Sequence, residues 1–133
     1  MIHLAVNGTL MRGLELNTHM LQARAVFIKE ASTAAIYRLW SIQDVHLAMM
    51  RVVDGGVPIA LGVWAVPPAG LSQILIQEPP GLCIGKVLLA GREVVLGWLG
   101  KPFLCRNQPE ISEWGGWRSY IASKHPVPIV SGG

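Results

Sequence analysis

Glycine and proline, 15 and 9 of them in 133 residues, cut this chain into short segments. The segments between these breakers are rich in β-branched and aromatic side chains, which fit a pleated, half-buried surface better than a helix. The chain is therefore expected to be mainly a strand protein. Strands are expected at 2–6, 25–29, 37–42, 49–53, 59–66, 82–89 and 93–99. Asp54-Gly55-Gly56 supplies the positive-φ residues of a hairpin between the fourth and fifth of these, and Ala90-Gly91-Arg92 closes another between the last two. Helix is confined to three places. Asn17 caps a single turn; Pro67-Pro68 opens a helix that carries Leu71, Ile74 and Leu75 at i, i+3 and i+4 and stops at Pro79-Pro80; an aromatic helix or turn covers 114–123. Segments 31–35 and 106–113 read as polar loops. Seven short strands lose their exposed edges best by curling into a sheet that closes toward a barrel, so the expected class is α+β.

A chain of this length fits one domain, expected over 1–123 with a tail at 124–133. Apolar residues make up 51% and charged residues 14%, a balance that points to apolar surface hidden in a homodimer or a pocket. The apolar run Ile59 to Val66 is bracketed by Pro58 and Pro67 and is too short to span a bilayer, which argues against a membrane protein. No signal peptide is legible at the start, so a cytoplasmic location is expected. The net charge of +3 comes from scattered cations without a basic stripe, which argues against nucleic acid and is compatible with a small acidic ligand. His3, His19, His46 and His125 lack metal-ligand spacing, and Cys83 and Cys105 read as buried thiols. Neither a metal nor a cofactor is expected.

Two segments carry candidate chemistry. Asn7-Gly8-Thr9-Leu10 closes the first strand with a turn whose backbone N–H groups can cup a carboxylate or carbonyl oxygen, although N-G is also an ordinary turn sequence. Glu78 follows the end of the helix begun at Pro68. The negative end of that helix, together with burial under Leu71, Leu82 and Ile84, would favour the protonated carboxyl and raise its pKa toward neutrality, the condition for a general acid/base. A glutamate at a helix end that simply faces water is the competing reading. Arg12, Arg38 and Arg118 are cations able to clamp a carboxylate in two-point fashion, and His46, expected in a polar loop, can orient a ligand or carry a second proton. Trp114-Gly115-Gly116-Trp117-Arg118-Ser119-Tyr120 reads as a packing latch over one end of the sheet rather than a binding element. No nucleophile motif is present, so covalent catalysis is not supported.

Several stretches together resemble a known family. They are Leu4-Ala5-Val6-Asn7-Gly8-Thr9-Leu10-Met11-Arg12-Gly13, Thr33-Ala34-Ala35-Ile36-Tyr37-Arg38-Leu39, the Gly55-Gly56 turn, Val63-Trp64-Ala65-Val66-Pro67, Pro79 to Val87, and Ile111 to Tyr120. On these the chain resembles the γ-glutamylcyclotransferase-like superfamily, and within it the C-terminal domain of allophanate hydrolase and its free-standing relatives. The resemblance implies a small, mixed, barrel-like sheet flanked by short helices. It also implies that Asn7, Gly8, Thr9 and Leu10 form a ligand loop at a cavity mouth, with Glu78 as the general acid/base. Asn7 stands where the cyclotransferases carry a tyrosine, and Pro79-Pro80 follow Glu78 at once. The implied substrate is a small carboxylate-bearing amide, γ-glutamyl compound or urea derivative. The implied alternative is a non-catalytic accessory module that works with an amidase.

Overall fold

The computed structural model describes residues 1–7, 17–44, 46–77 and 80–124. In chain order the described elements are β1 (Ile2–Val6), α1 (Asn17–Gln22), β2 (Val26–Ser32), β3 (Tyr37–Ile42), β4 (His46–Arg51), β5 (Ala60–Val66), α2 (Pro68–Gln77), β6 (Leu82–Leu88), β7 (Val94–Gly100), α3 (Pro102–Cys105), a 3-10 turn (Ser112–Trp114) and α4 (Trp117–Lys124). Five strands form one mixed sheet in the order β2-β5-β1-β7-β6, and β3 and β4 pair separately. Within the sheet β1 runs antiparallel to β5 and parallel to β7. The class is α+β, a mixed sheet with a few short helices.

Strand alternation divides the sheet's side chains between two cores. Ala5, Leu61, Val63, Val87 and Val95 point to the inner face, where Leu39, Leu47 and Met49 of the β3–β4 pair and Trp117 and Tyr120 of α4 cover them. Leu4, Val6, Trp64, Val66 and Trp98 point to the outer face and meet Met20 of α1 and Ile74 of α2. Hence β1 and β5 bury both faces and read as continuous apolar runs, whereas β2 at the edge is mostly exposed.

The sheet curls without closing. Thr33, just after β2, bridges Leu89, just after β6, and the flanking bonds run from Ala34 N–H to the Leu88 carbonyl (3.0 Å) and from Ala90 N–H to the Ser32 carbonyl (2.9 Å). The two edge strands therefore meet at one point, which shields that end of each from strand addition. Among the described residues the barrel goes no further.

Two expectations are corrected by long-range pairing. The expected hairpin across Asp54-Gly55-Gly56 does not form: β4 pairs with β3, and β5 inserts between β1 and β2. A Cβ on Gly56 would lie 2.4 Å from Ile36 Cα, so glycine here lets the 53–57 segment lie flat against the start of β3. The turn that does reverse the chain is Gln43-Asp44, both at positive φ (55° and 58°), a conformation usually left to glycine or asparagine. Likewise Ala31 and Ser32, expected in a loop, belong to β2 because they pair with Leu61 and Ala60. The helix from Pro68 to Gln77 and the β6–β7 hairpin, with Leu88 opposite Val94, form as expected. No helix among the described residues is long and apolar enough to cross a membrane.

Candidate functional site

The end of β1 is where the expected ligand loop leaves the sheet. Asn7, half-buried, follows Val6 and continues the inner-face alternation of Ala5. Its side-chain Nδ2 donates to the thioether Sδ of Met49 at 3.7 Å. Met49 reaches this point because the Gln43-Asp44 turn folds β4 back along β3 and lays the inner-facing side of the pair, Leu39, Leu47 and Met49, over the sheet.

The chain returns to the same end of the sheet after α2. Ala5 is level with Gly97 of β7, and β7 runs on in the same direction to Leu99 and Gly100, which pair with Cys83 and Leu82 at the start of β6. Just before β6, Gly81 takes φ +94° and its carbonyl accepts a bond from Lys101 N–H at 2.9 Å, which ties the approach to β6 to the exit from β7. Phe103 and Leu104 of α3 fill the space where a Cβ on Gly81 would project. Gly8, Thr9, Leu10, Arg12 and Glu78 lie outside the described residues. Their described neighbours, Asn7 on one side and Gly81 and Leu82 on the other, share this end of the sheet with only β7 between them.

Arg38 and His46 are not brought to Asn7. Arg38 lies on the face of β3 opposite to Leu39, donating from Nε to Glu110 Oε2 (2.8 Å) and from a guanidinium N–H to the Gly55 carbonyl. The hydrogen bond to Arg38 holds the Glu110 carboxyl below its ordinary range, and the same contact raises the guanidinium pKa. Arg38 therefore fastens the 109–111 segment and the Gly55 turn to β3. His46 opens β4 instead of lying in a loop, on the same side as Ala48. Its Nε2 is buried without a hydrogen-bond partner among the described residues, and burial disfavours the charged ring and pushes its pKa down.

The aromatic segment behaves as a latch. Trp117 and Tyr120 are 2% and 4% exposed and join the inner core, whereas Trp114 stands half out of it. Tyr120 donates its hydroxyl proton to Asp44 Oδ1 at 2.6 Å, Ser41 donates to the same oxygen, and Lys124 Nζ lies 3.7 Å from Oδ2. The Ser41 bond first, and the Tyr120 bond after it, hold the Asp44 carboxyl below its usual range. Asp44 and Met49 escaped the sequence reading. Each acts through a contact more than forty positions away, and no local pattern marks such a pairing. Two clefts of about 380 and 520 Å³ border α4, the first beside Ala60 and Trp117 and the second beside Asp44 and Trp114; neither includes Asn7. Of the cysteines, Cys105 is buried and Cys83 only partly so.

A mixed five-stranded sheet that curls until its edges touch, flanked by a few short helices, defines a γ-glutamylcyclotransferase-like fold. A mouse AIG2-like protein shares it at a TM-score of 0.65 and 17% identity, over 84% of this chain and 86% of that one. Residues 2–122 match the allophanate hydrolase C-terminal domain, and the chain belongs to that family. It is similar to a solved protein specific to uropathogenic E. coli, at 49% identity and a TM-score of 0.89 over 91% of this chain and 95% of that one. It is also similar to urea amidolyase of Saccharomyces cerevisiae, 28% identical over 132 residues and 90% of this chain. The chain spans only 7% of the length of that curated relative.

Proposed function

We propose that this chain is a small enzyme acting on a carboxylate-bearing amide, γ-glutamyl compound or urea derivative. In this reading Glu78 is the general acid/base, and the backbone N–H groups of Gly8, Thr9 and Leu10 hold an anionic oxygen of the substrate. The observation that supports it is the shared sheet end: the residue before the loop and the strand after Glu78 are separated by β7 alone. One carboxyl is enough for either chemistry. An α-ammonium must lose a proton before it attacks a carbonyl, and the leaving amine must gain one. A carboxylated nitrogen that releases CO2 keeps the electron pair of the broken C–N bond and takes up a proton there. The exposed side chains of Leu75, Ile76 and Phe103 support the further expectation of a homodimer.

Glu78→Gln tests this directly. Against a panel of γ-glutamyl amines and carboxylated ureas, the variant should lose at least about a hundredfold in turnover, the scale of one general acid/base, with its melting temperature nearly unchanged. Equal rates for the two proteins would end the proposal. A second reading, a non-catalytic module that binds ligand beside an amidase, draws support from the family, whose name places such domains at the C-terminus of allophanate hydrolase. No turnover by the wild-type protein on any panel member, with stable capture of an amidase, is the result that favours it.

A further inference from the structure

Asp54-Gly55-Gly56 forms no hairpin, and its tip is open to solvent: Val53, Asp54 and Gly55 are all exposed. Among the described residues nothing hydrogen-bonds to the Asp54 carboxyl, and nothing accepts from the Gly55 N–H. Gly55 has no side chain to crowd its nitrogen, and its φ of +74° is one that few other residues adopt. Asp44 is the contrast, since Ser41 and Tyr120 hold its carboxyl and a β-branched valine follows it. We infer that Asp54 is a site of spontaneous isomerisation to isoaspartate, and that the product loses the Arg38 clamp on Gly55. The Gly55 nitrogen attacks Cγ of the protonated Asp54 carboxyl; a C–N bond forms, and the hydroxyl leaves with the N–H proton as water. Water then adds to the main-chain carbonyl carbon of the cyclic imide, the original C–N bond breaks, and that carbon becomes a free carboxyl. Addition of water at Cγ instead restores aspartate. Mass is unchanged, but the main chain now runs through the side chain and is one carbon longer. The turn has no slack for that carbon. Val52 N–H is bonded to the Ile36 carbonyl at 2.9 Å and Val57 N–H to the Tyr37 carbonyl at 2.8 Å, so both ends are pinned beside the start of β3. Between them Arg38 donates to the Gly55 carbonyl, and a Cβ on Gly56 would lie 2.4 Å from Ile36 Cα. The longer loop must therefore arch outward, which lifts the Gly55 carbonyl off Arg38. The same clamp restrains the rotations that the attack requires, so in the native turn it slows the reaction without blocking it.

Incubation of the folded wild-type protein, Arg38→Ala, Asp54→Glu and a synthetic peptide of residues 52–57 at mildly acidic pH tests this. Isoaspartate is read by methyl transfer from S-adenosylmethionine with an isoaspartyl methyltransferase, and is placed by fragmentation of the tryptic peptide that begins at Val52, which separates Asp54 from Asn7-Gly8. The wild-type protein should accumulate isoaspartate at Asp54, more slowly than the peptide does. Arg38→Ala should accumulate it about fivefold faster than the wild-type protein, the factor that one hydrogen bond holding the turn supplies. Asp54→Glu should give none at this position, because its longer side chain would have to close a larger ring. The isomerised wild-type protein, separated by chromatography, should melt below the unmodified protein and close to Arg38→Ala. A folded protein that forms no isoaspartate at Asp54 while the peptide converts overturns the inference. Equal rates in the wild-type protein and Arg38→Ala overturn the part given to the clamp, and an unchanged melting temperature after isomerisation overturns the release of Gly55.

Discussion

The latch of α4 on the β3–β4 turn and the end of β1 treat polar side chains in opposite ways. At the latch, Asp44 takes hydrogen bonds from Ser41 and Tyr120, and nearby Arg38 is held by Glu110 and the Gly55 carbonyl. At the end of β1, Asn7 spends its donor on a sulfur and offers its oxygen to no described residue. A polar group with a strong, charged partner gains nothing from a ligand, whereas one with a weak partner still has free energy to gain. Arg38 and Asn7 are equal candidates as residue types, and their partners separate them.

Substitutions separate the two kinds of site. The largest effect is expected at Trp117, whose ring is buried in the inner core. Trp117→Ala should cost about 3–5 kcal/mol in denaturant unfolding, as loss of a large buried aromatic does. The contrast weakens if the variant keeps full stability and loses ligand binding instead.

Tyr120→Phe removes one hydrogen bond to Asp44 and should cost about 1 kcal/mol. The acid limb of the stability profile should change with it. Because the folded-state pKa of Asp44 lies below its ordinary value of 3.8, its contribution is present above that value and disappears as pH falls through the folded one. Melting temperatures measured down that limb should decline less steeply for Tyr120→Phe than for the wild-type protein, and parallel curves would show that the hydroxyl does not hold the carboxylate. The smallest effect is expected for Arg38→Ala. A modest drop in melting temperature with unchanged ligand affinity fits a clamp between exposed groups, whereas a large loss of affinity at unchanged stability would return Arg38 to the ligand site.

Local chemistry made some elements legible. Proline at the start of α2 and the Pro79-Pro80 pair after it bounded that helix correctly at Pro68 and Gln77. The Ala90-Gly91-Arg92 turn announced the β6–β7 hairpin because its two strands are neighbours in sequence. Asp54-Gly55-Gly56 misled for the opposite reason. Its glycines serve a close approach to Ile36, while the working turn at Gln43-Asp44 has no glycine and is held by the hydrogen bonds of Asp44 itself. At the candidate site, Asn7 was legible as a strand end, but its contact with Met49 was not, since it depends on how β4 is folded over the sheet. His46 shows the same limit: a residue expected in a loop became the first position of a strand once β4 found β3.

Under the proposed function one ligand is bound between residues 8–10 and the segment before β6. An NMR titration of the isotope-labelled protein with malonamate, a small carboxylate-bearing amide, distinguishes this site from the clefts beside α4. Amide resonances of Gly8, Thr9 and Leu10 should shift along with those of Gly81 and Leu82 on a single binding curve. Shifts confined to Gly116, Trp117 and Arg118 beside the α4 cleft, with the end of β1 unmoved, would contradict it.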